Sequence, residues 1–190
     1  MSASLSDAAA YVPTRSLAIL GMPGSGKSSV GRKLAARFAI PFFDADEEIE
    51  AAAGMKITQI FERYGEPEFR KGERRVIARL LEQPLHVLAT GGGAFMDPET
   101  RALIKARTTS IWLRADLDTL YERTSRRGDR PLLANVDARQ TLARLLAERT
   151  PHYAEADVTV DTDTRPAEET VDRVLKALGA FVQKQNGTDD

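Results

Sequence analysis

Eight consecutive residues, Gly21-Met22-Pro23-Gly24-Ser25-Gly26-Lys27-Ser28, carry the densest chemistry in the chain. They fit G-x-x-x-x-G-K-[ST], and each fixed position has a mechanical reason. The glycines let successive N–H groups turn toward one anion, the lysine brings charge to the β- and γ-phosphates, and the final hydroxyl can ligate Mg²⁺. Gly24, Ser25, Gly26, Lys27, Ser28 and the adjoining Ser29 are therefore the expected nucleotide contacts. The flanks agree. Ser16-Leu17-Ala18-Ile19-Leu20 reads as a buried strand, and Val30, Leu34 and Phe38 recur at helical spacing. A strand feeding a glycine loop that opens a helix places phosphate at the positive end of the helix dipole. A chance glycine loop would need neither flank.

Further along lie groups that could complete a phosphoryl transfer. Asp44 and Asp46 stand two apart after the apolar Pro41-Phe42-Phe43. In extended backbone they would face one side, one for Mg²⁺ through water and one for a substrate hydroxyl; the plainer reading is a helix cap at Asp46 beside a solvated Asp44. The run 85–89 ends in Thr90-Gly91-Gly92-Gly93 rather than in a magnesium-binding aspartate, which leaves Asp44 as the metal-side carboxylate. Three glycines allow another molecule to lie directly on the backbone. Arg123, Arg126, Arg127 and Arg130 crowd an aperiodic segment, 123–135. Arg130, between Gly128 and Pro131, suits a lid that swings onto a transferring phosphoryl group. Arg70 and Arg149 could fork a substrate carboxylate, although taken alone each reads rather as a surface residue. His86 and His152 have no partner that suggests catalysis or metal binding.

The positioning elements follow from periodicity. Strands are expected at 16–20, 41–43, 85–89, 110–113 and 158–160. Helices are expected from Lys27, over 47–53 and 58–64, from Glu66, from Pro98 and from Asp116. Two more run from Asp137 to about Arg149 before Pro151, and over 166–183. Strands alternating with helices imply a three-layer α/β/α domain around a parallel sheet of about five strands, with ligands at the carboxyl ends of the strands. The 190 residues suit one domain, 15–183, between a flexible leader, 1–14, and a flexible tail, 184–190. A net charge of −1 speaks against a nucleic-acid or anionic-membrane surface, and the lack of cysteine excludes disulfides, thiolate metal sites and cysteine nucleophiles. No apolar run approaches the ~20 residues that span a bilayer, so the cytoplasm is the expected compartment.

The combination resembles shikimate kinase over about 17–178. The resemblance is carried by Gly21 to Ser28, Asp44-Ala45-Asp46, Phe69-Arg70, Gly91-Gly92-Gly93-Ala94, Arg130-Pro131-Leu132-Leu133 and Arg149-Thr150-Pro151-His152-Tyr153. It implies a P-loop kinase fold with a mobile lid over about 123–135. The implied reaction moves the ATP γ-phosphoryl group to the 3-hydroxyl of shikimate, with Mg²⁺ as cofactor. It assigns Lys27 to the transferring phosphate, Ser28 and Asp44 to the Mg²⁺ shell, and Asp46 to the attacking hydroxyl. Arg70 and Arg149 fall to the shikimate carboxylate, Gly92 with its neighbours Gly91 and Gly93 to the substrate, and Phe61 and Phe69 to the pocket wall. Arg130 becomes the lid arginine, and Arg123 and Arg165 fall where the family holds adenine. A monomer acting on small molecules is expected. Two other readings are a gluconate kinase of the same architecture and a catalytically silent nucleotide-binding module.

Overall fold

Strand β1 (Ser16–Leu20) sits at the centre of the sheet because its side chains have nowhere else to go: Leu17, Ala18, Ile19 and Leu20 are all fully buried. A strand apolar on both faces needs helices on both sides, and the chain supplies them. The computed structural model describes residues 11–125 and 137–187. Within them β2 (Phe42–Asp44), β3 (Val87–Ala89), β4 (Thr108–Arg114) and β5 (Val158–Asp161) join β1 in a wholly parallel sheet of order β2-β3-β1-β4-β5. Leu17 and Ile19 pack toward α1 (Lys27–Phe38) and α7 (Ala167–Asn186), with Val30, Leu34, Val174 and Leu178 as partners. Ala18 and Leu20 face the opposite layer. That layer is built from α2 (Ala45–Ala53), α3 (Ile57–Leu80), α4 (Pro98–Arg107), α5 (Leu117–Ser125) and α6 (Ala138–Tyr153). Each fully buried aliphatic side chain stabilises such a core by about 1.5–3 kcal/mol. The expected three layers and five parallel strands are present.

Strand order decides which loops meet. β3 lies between β1 and β2, with Ile19 opposite Ala89 and Ala89 opposite Asp44. The loop after β1, the triple glycine after β3 and the acids after β2 therefore emerge side by side at one rim. Thr90 locks two of them together, its N–H and its hydroxyl both donating to the Ile19 carbonyl at 3.1 Å.

Several boundaries differ from those read off the sequence. α2 begins at Ala45 rather than Glu47, because Asp44 itself caps it: Oδ1 accepts from the Asp46 N–H at 3.0 Å. The two helices expected on either side of Gly65 form α3, which breaks its helical geometry at Gly65 (φ 78°, ψ 170°) and restarts with Pro67 in the next turn. α6 does not stop before Pro151 but runs through it to Tyr153. α5 continues to Ser125, so Arg123 sits in a helix and not in an aperiodic segment. At the ends, α7 reaches Asn186 and the Tyr11 ring packs edge-on against Phe38, centroids 5.8 Å apart.

Candidate active site

The loop 21–26 is short and sharply turned. Gly24 (φ 85°) and Gly26 (φ 94°) adopt left-handed backbone that side chains resist, and Gly26 is the N-cap of α1. Ser25 fills the inside of this turn. It is fully buried, its N–H donates to the Met22 carbonyl at 3.1 Å, and its hydroxyl points inward toward Gly21. Its contribution is to the loop's shape. Lys27 is buried at the helix start, Nζ donating to the Gly21 and Met22 carbonyls at 3.0 Å each. Beside it the Ser28 hydroxyl donates to Asp44 Oδ2 at 2.5 Å.

A cleft of about 330 Å³ runs along this rim, lined among others by Gly24, Gly26, Lys27, Ser28, Ser29 and Asp44. Asp46 and Arg123 reach the same cleft, and Thr162 and Thr170 form its far wall. Arg123 bridges the loop to the segment after β5, donating to the Gly24 carbonyl at 3.2 Å and to the Asp163 carbonyl. Arg165 is turned away. It wraps the Asp163 carboxylate (2.6 Å), and its hydrogen bonds hold that carboxyl far below the ordinary range; it also reaches Glu169 at 3.2 Å.

Asp44 and Asp46 do not share one extended face. Asp44 ends β2, whereas Asp46 lies in the first turn of α2, so a change of backbone type separates the two carboxylates. One faces Ser28 and the other the triple glycine. That is a correction to the extended reading, and it sorts the acids more sharply than the strand geometry would have done.

The triple glycine is surrounded by charge. A Cβ on Gly91 would lie 2.7 Å from Glu73 Oε1 and 2.9 Å from Asp46 Oδ1. On Gly92 it would stand 3.1 Å from an Arg149 Nη, and on Gly93 2.5 Å from an Arg70 Nη. Real Cβ atoms do not approach as closely as at Gly91 and Gly93, and few approach as closely as at Gly92, so the glycines serve close approach rather than unusual dihedrals; Gly93 is an ordinary φ −98°. Two carboxylates from α2 and α3 and two guanidiniums from α3 and α6 thus converge on one stretch of backbone. Arg149 is buried, not a surface residue, and Arg70 is held by Glu73 at 2.6 Å and Glu66 at 3.2 Å. Phe69 lies under the Arg70 guanidinium (5.1 Å to the ring centroid) and against Phe61 (4.6 Å).

Sequence reasoning missed two members of this group. Glu73 is buried with Oε1 lacking a hydrogen-bond partner among the described residues. Burial raises its pKa against the pull of Arg70, with Asp46 raising it further. Its signal in the sequence was slight: a glutamate one helical turn after Arg70, on the apolar face of Phe69, Val76 and Ile77. Tyr153 is the other, buried with its hydroxyl donating to the Gly92 carbonyl; it stood in a stretch that carries the resemblance, but the helix expected to end before Pro151 gave it no role. His86 is buried and bonded to its own neighbourhood (Pro84 carbonyl 2.7 Å, Ser16 hydroxyl 3.1 Å), away from this rim. Arg130, Arg126, Arg127 and most of the expected lid lie outside the described residues.

Comparison with known proteins bears on the whole of this rim. The family model for shikimate kinase matches residues 23–179. A shikimate kinase of Bradyrhizobium diazoefficiens is 54% identical over 168 residues, 88% of this chain and 81% of that protein. One from Caulobacter vibrioides is 51% identical over 174 residues, 92% of this chain and 87% of that protein. The structure of shikimate kinase from Acinetobacter baumannii in complex with shikimate superposes with a TM-score of 0.83 at 37% identity, covering 86% of this chain and 93% of that one. A gluconokinase from Sinorhizobium meliloti 1021 shares the fold at a TM-score of 0.66 and 19% identity, covering 95% of this chain and 100% of that one.

Proposed function

The chain belongs to the shikimate kinase family, and from that membership we propose how its residues move the γ-phosphoryl group of ATP to the 3-hydroxyl of shikimate. The products are shikimate 3-phosphate and ADP, on the route to chorismate and the aromatic amino acids. The observation that carries the reading is the convergence of Asp46, Arg70, Glu73 and Arg149 on Gly91, Gly92 and Gly93, beside the Lys27 loop. An acidic, hydroxylated ring needs such a set: cations for its carboxylate and an acid at the reacting hydroxyl.

On this reading Gly24, Gly26, Lys27, Ser28 and Ser29 receive the phosphates, with Ser25 holding the turn. Arg123 lies along the nucleotide, and Arg165 borders the adenine end once released from Asp163. Arg70 and Arg149 grip the carboxylate over the wall of Phe61 and Phe69, and the glycines let the ring lie close. The 3-hydroxyl oxygen attacks the γ-phosphorus, its new O–P bond forming as the bond to the ADP oxygen breaks. The hydroxyl proton passes to the Asp46 carboxylate. Lys27 and, by the family pattern, Arg130 neutralise the transferring group, whose chemistry asks mainly for position and charge. The hard oxygen donors Ser28 and Asp44 already touch and suit Mg²⁺, which takes few protein oxygens and keeps its waters. Bound there, the ion would screen phosphate charge. Action as a monomer in the cytoplasm belongs to the same proposal.

A coupled ADP-release assay with shikimate and gluconate offered separately tests the acceptor. Turnover of shikimate alone is expected; turnover of gluconate alone would replace the reading. Within the shikimate reaction, Asp46→Asn should lower kcat by about 10²-fold or more while leaving the KM for ATP within about twofold. A defect confined to ATP binding would remove Asp46 from the acceptor side.

A further inference from the structure

Tyr153 is the last residue of α6 and stands four positions after Arg149, so the two side chains project from one face, a turn apart. That turn exists only because the helix continues through Pro151, a residue that helix interiors ordinarily exclude. The Ala154 N–H still reaches the Thr150 carbonyl at 2.9 Å, closing the turn behind the proline. The continuation places the phenol in a site 1% exposed, stacked on Trp112 with ring centroids 5.8 Å apart. Its hydroxyl donates to the Gly92 carbonyl. The Arg149 guanidinium beside it polarises that donor, and burial pushes the phenol up to about 12, so the proton stays in place at any working pH.

We propose that the Tyr153 hydroxyl is a positioning residue for the acceptor: by tying the Gly92 carbonyl to the face of α6 that carries Arg149, it holds glycine backbone and guanidinium in one register. The peptide bonds here are all trans, so fixing the Gly92 carbonyl also fixes the direction of the Gly93 N–H on the same planar unit. Gly92 has no side chain to anchor it, and an Arg149 Nη stands 3.1 Å from where its Cβ would be. Without the phenol hydroxyl, the backbone that meets the acceptor and the cation that meets its carboxylate can drift apart by rotation of one peptide. The inference rests on the reading above that shikimate meets Gly92 and Arg149.

The test is Tyr153→Phe, which keeps the ring on Trp112 and removes only the hydroxyl. Trp112 is the sole tryptophan, so its fluorescence reports both the local packing and shikimate binding in the absence of ATP. The KM and Kd for shikimate should rise about tenfold, equivalent to about 1.4 kcal/mol, with the KM for ATP within twofold and the folded state retained. A shikimate KM within twofold of wild type would overturn the proposal. So would equal rises in both KM values or an unfolded variant, since either outcome marks the hydroxyl as a general structural support. Failure of the wild-type enzyme to phosphorylate shikimate would instead overturn the acceptor assignment, a result separate from any effect of the variant.

Discussion

The two halves of the site are built by opposite means. On the proposed reading, the phosphate side is one continuous stretch, 21–29, whose grip comes from turned backbone and a single lysine at a helix start. The acceptor side is gathered from α2, α3, the loop after β3 and α6, and its grip comes from charged side chains laid against bare backbone. A site made of backbone depends on local dihedrals and tolerates changes elsewhere. A site made of converging side chains depends on the packing of every helix that contributes. Selectivity for the acceptor should therefore be the more fragile property, and nucleotide binding the more robust one.

That contrast can be broken in several places. The largest effect is expected at Lys27→Ala, which on the proposed reading removes the charge that meets the transferring phosphate: kcat should fall by about 10²–10³-fold or more, with an unchanged circular dichroism spectrum. Retained turnover would mean that the loop binds without acting. Next comes Gly93→Ala, whose new methyl would sit 2.5 Å from the Arg70 guanidinium. Displacing that fork should raise the KM for shikimate by about tenfold or more and leave ATP affinity near wild type. Equal damage to both substrates in steady-state kinetics would erase the distinction between the halves.

Two further changes, away from the rim, sharpen it by affecting stability alone. His86, just before β3, is fully buried with Nε2 lacking a partner among the described residues and with the Phe43 ring edge-on at 5.3 Å. Burial lowers its pKa below the ordinary histidine value of 6.5, only partly offset by the Pro84 carbonyl. The unfolded chain then takes up a proton that the folded chain refuses. The stability that His86 contributes is present above pH 6.5 and is lost as pH falls through that value toward the lower folded pKa. The thermal midpoint should drop between neutral and mildly acidic pH, and His86→Leu should flatten that part of the profile without altering the KM for shikimate at neutral pH. Smallest is Gly179→Ala in α7, where an added Cβ meets nothing within 4 Å. A helix-interior alanine should stabilise by about 0.5–1 kcal/mol, visible as a small rise in melting temperature with unchanged kinetics.

The same contrast explains what could be read in advance. Lys27, Ser28 and the glycines announced themselves because their chemistry and their spacing lie within one turn of chain. Asp44 and Asp46 were visible as a pair but not as occupants of two element types, since the helix start at Ala45 depends on Asp44 capping it. Glu73 and Tyr153 gave little warning. A carboxylate on an apolar helix face and a tyrosine after a proline have many ordinary explanations, and only contact with Gly91 and Gly92 sets them apart.

Composition, alternation of strand and helix, and one glycine loop were enough to determine a parallel three-layer domain that binds a nucleotide at its carboxyl rim. Such features are local, and the dihedral limits of glycine and the periodicity of apolar residues encode them within a few turns of chain. Which arginines are buried, which carboxylate faces which partner, and why three glycines stand in a row were decided by tertiary structure. Those properties come from the order β2-β3-β1-β4-β5, which brings distant segments to one rim. Close approach between charged side chains and bare backbone exists only once the helices that carry them have packed.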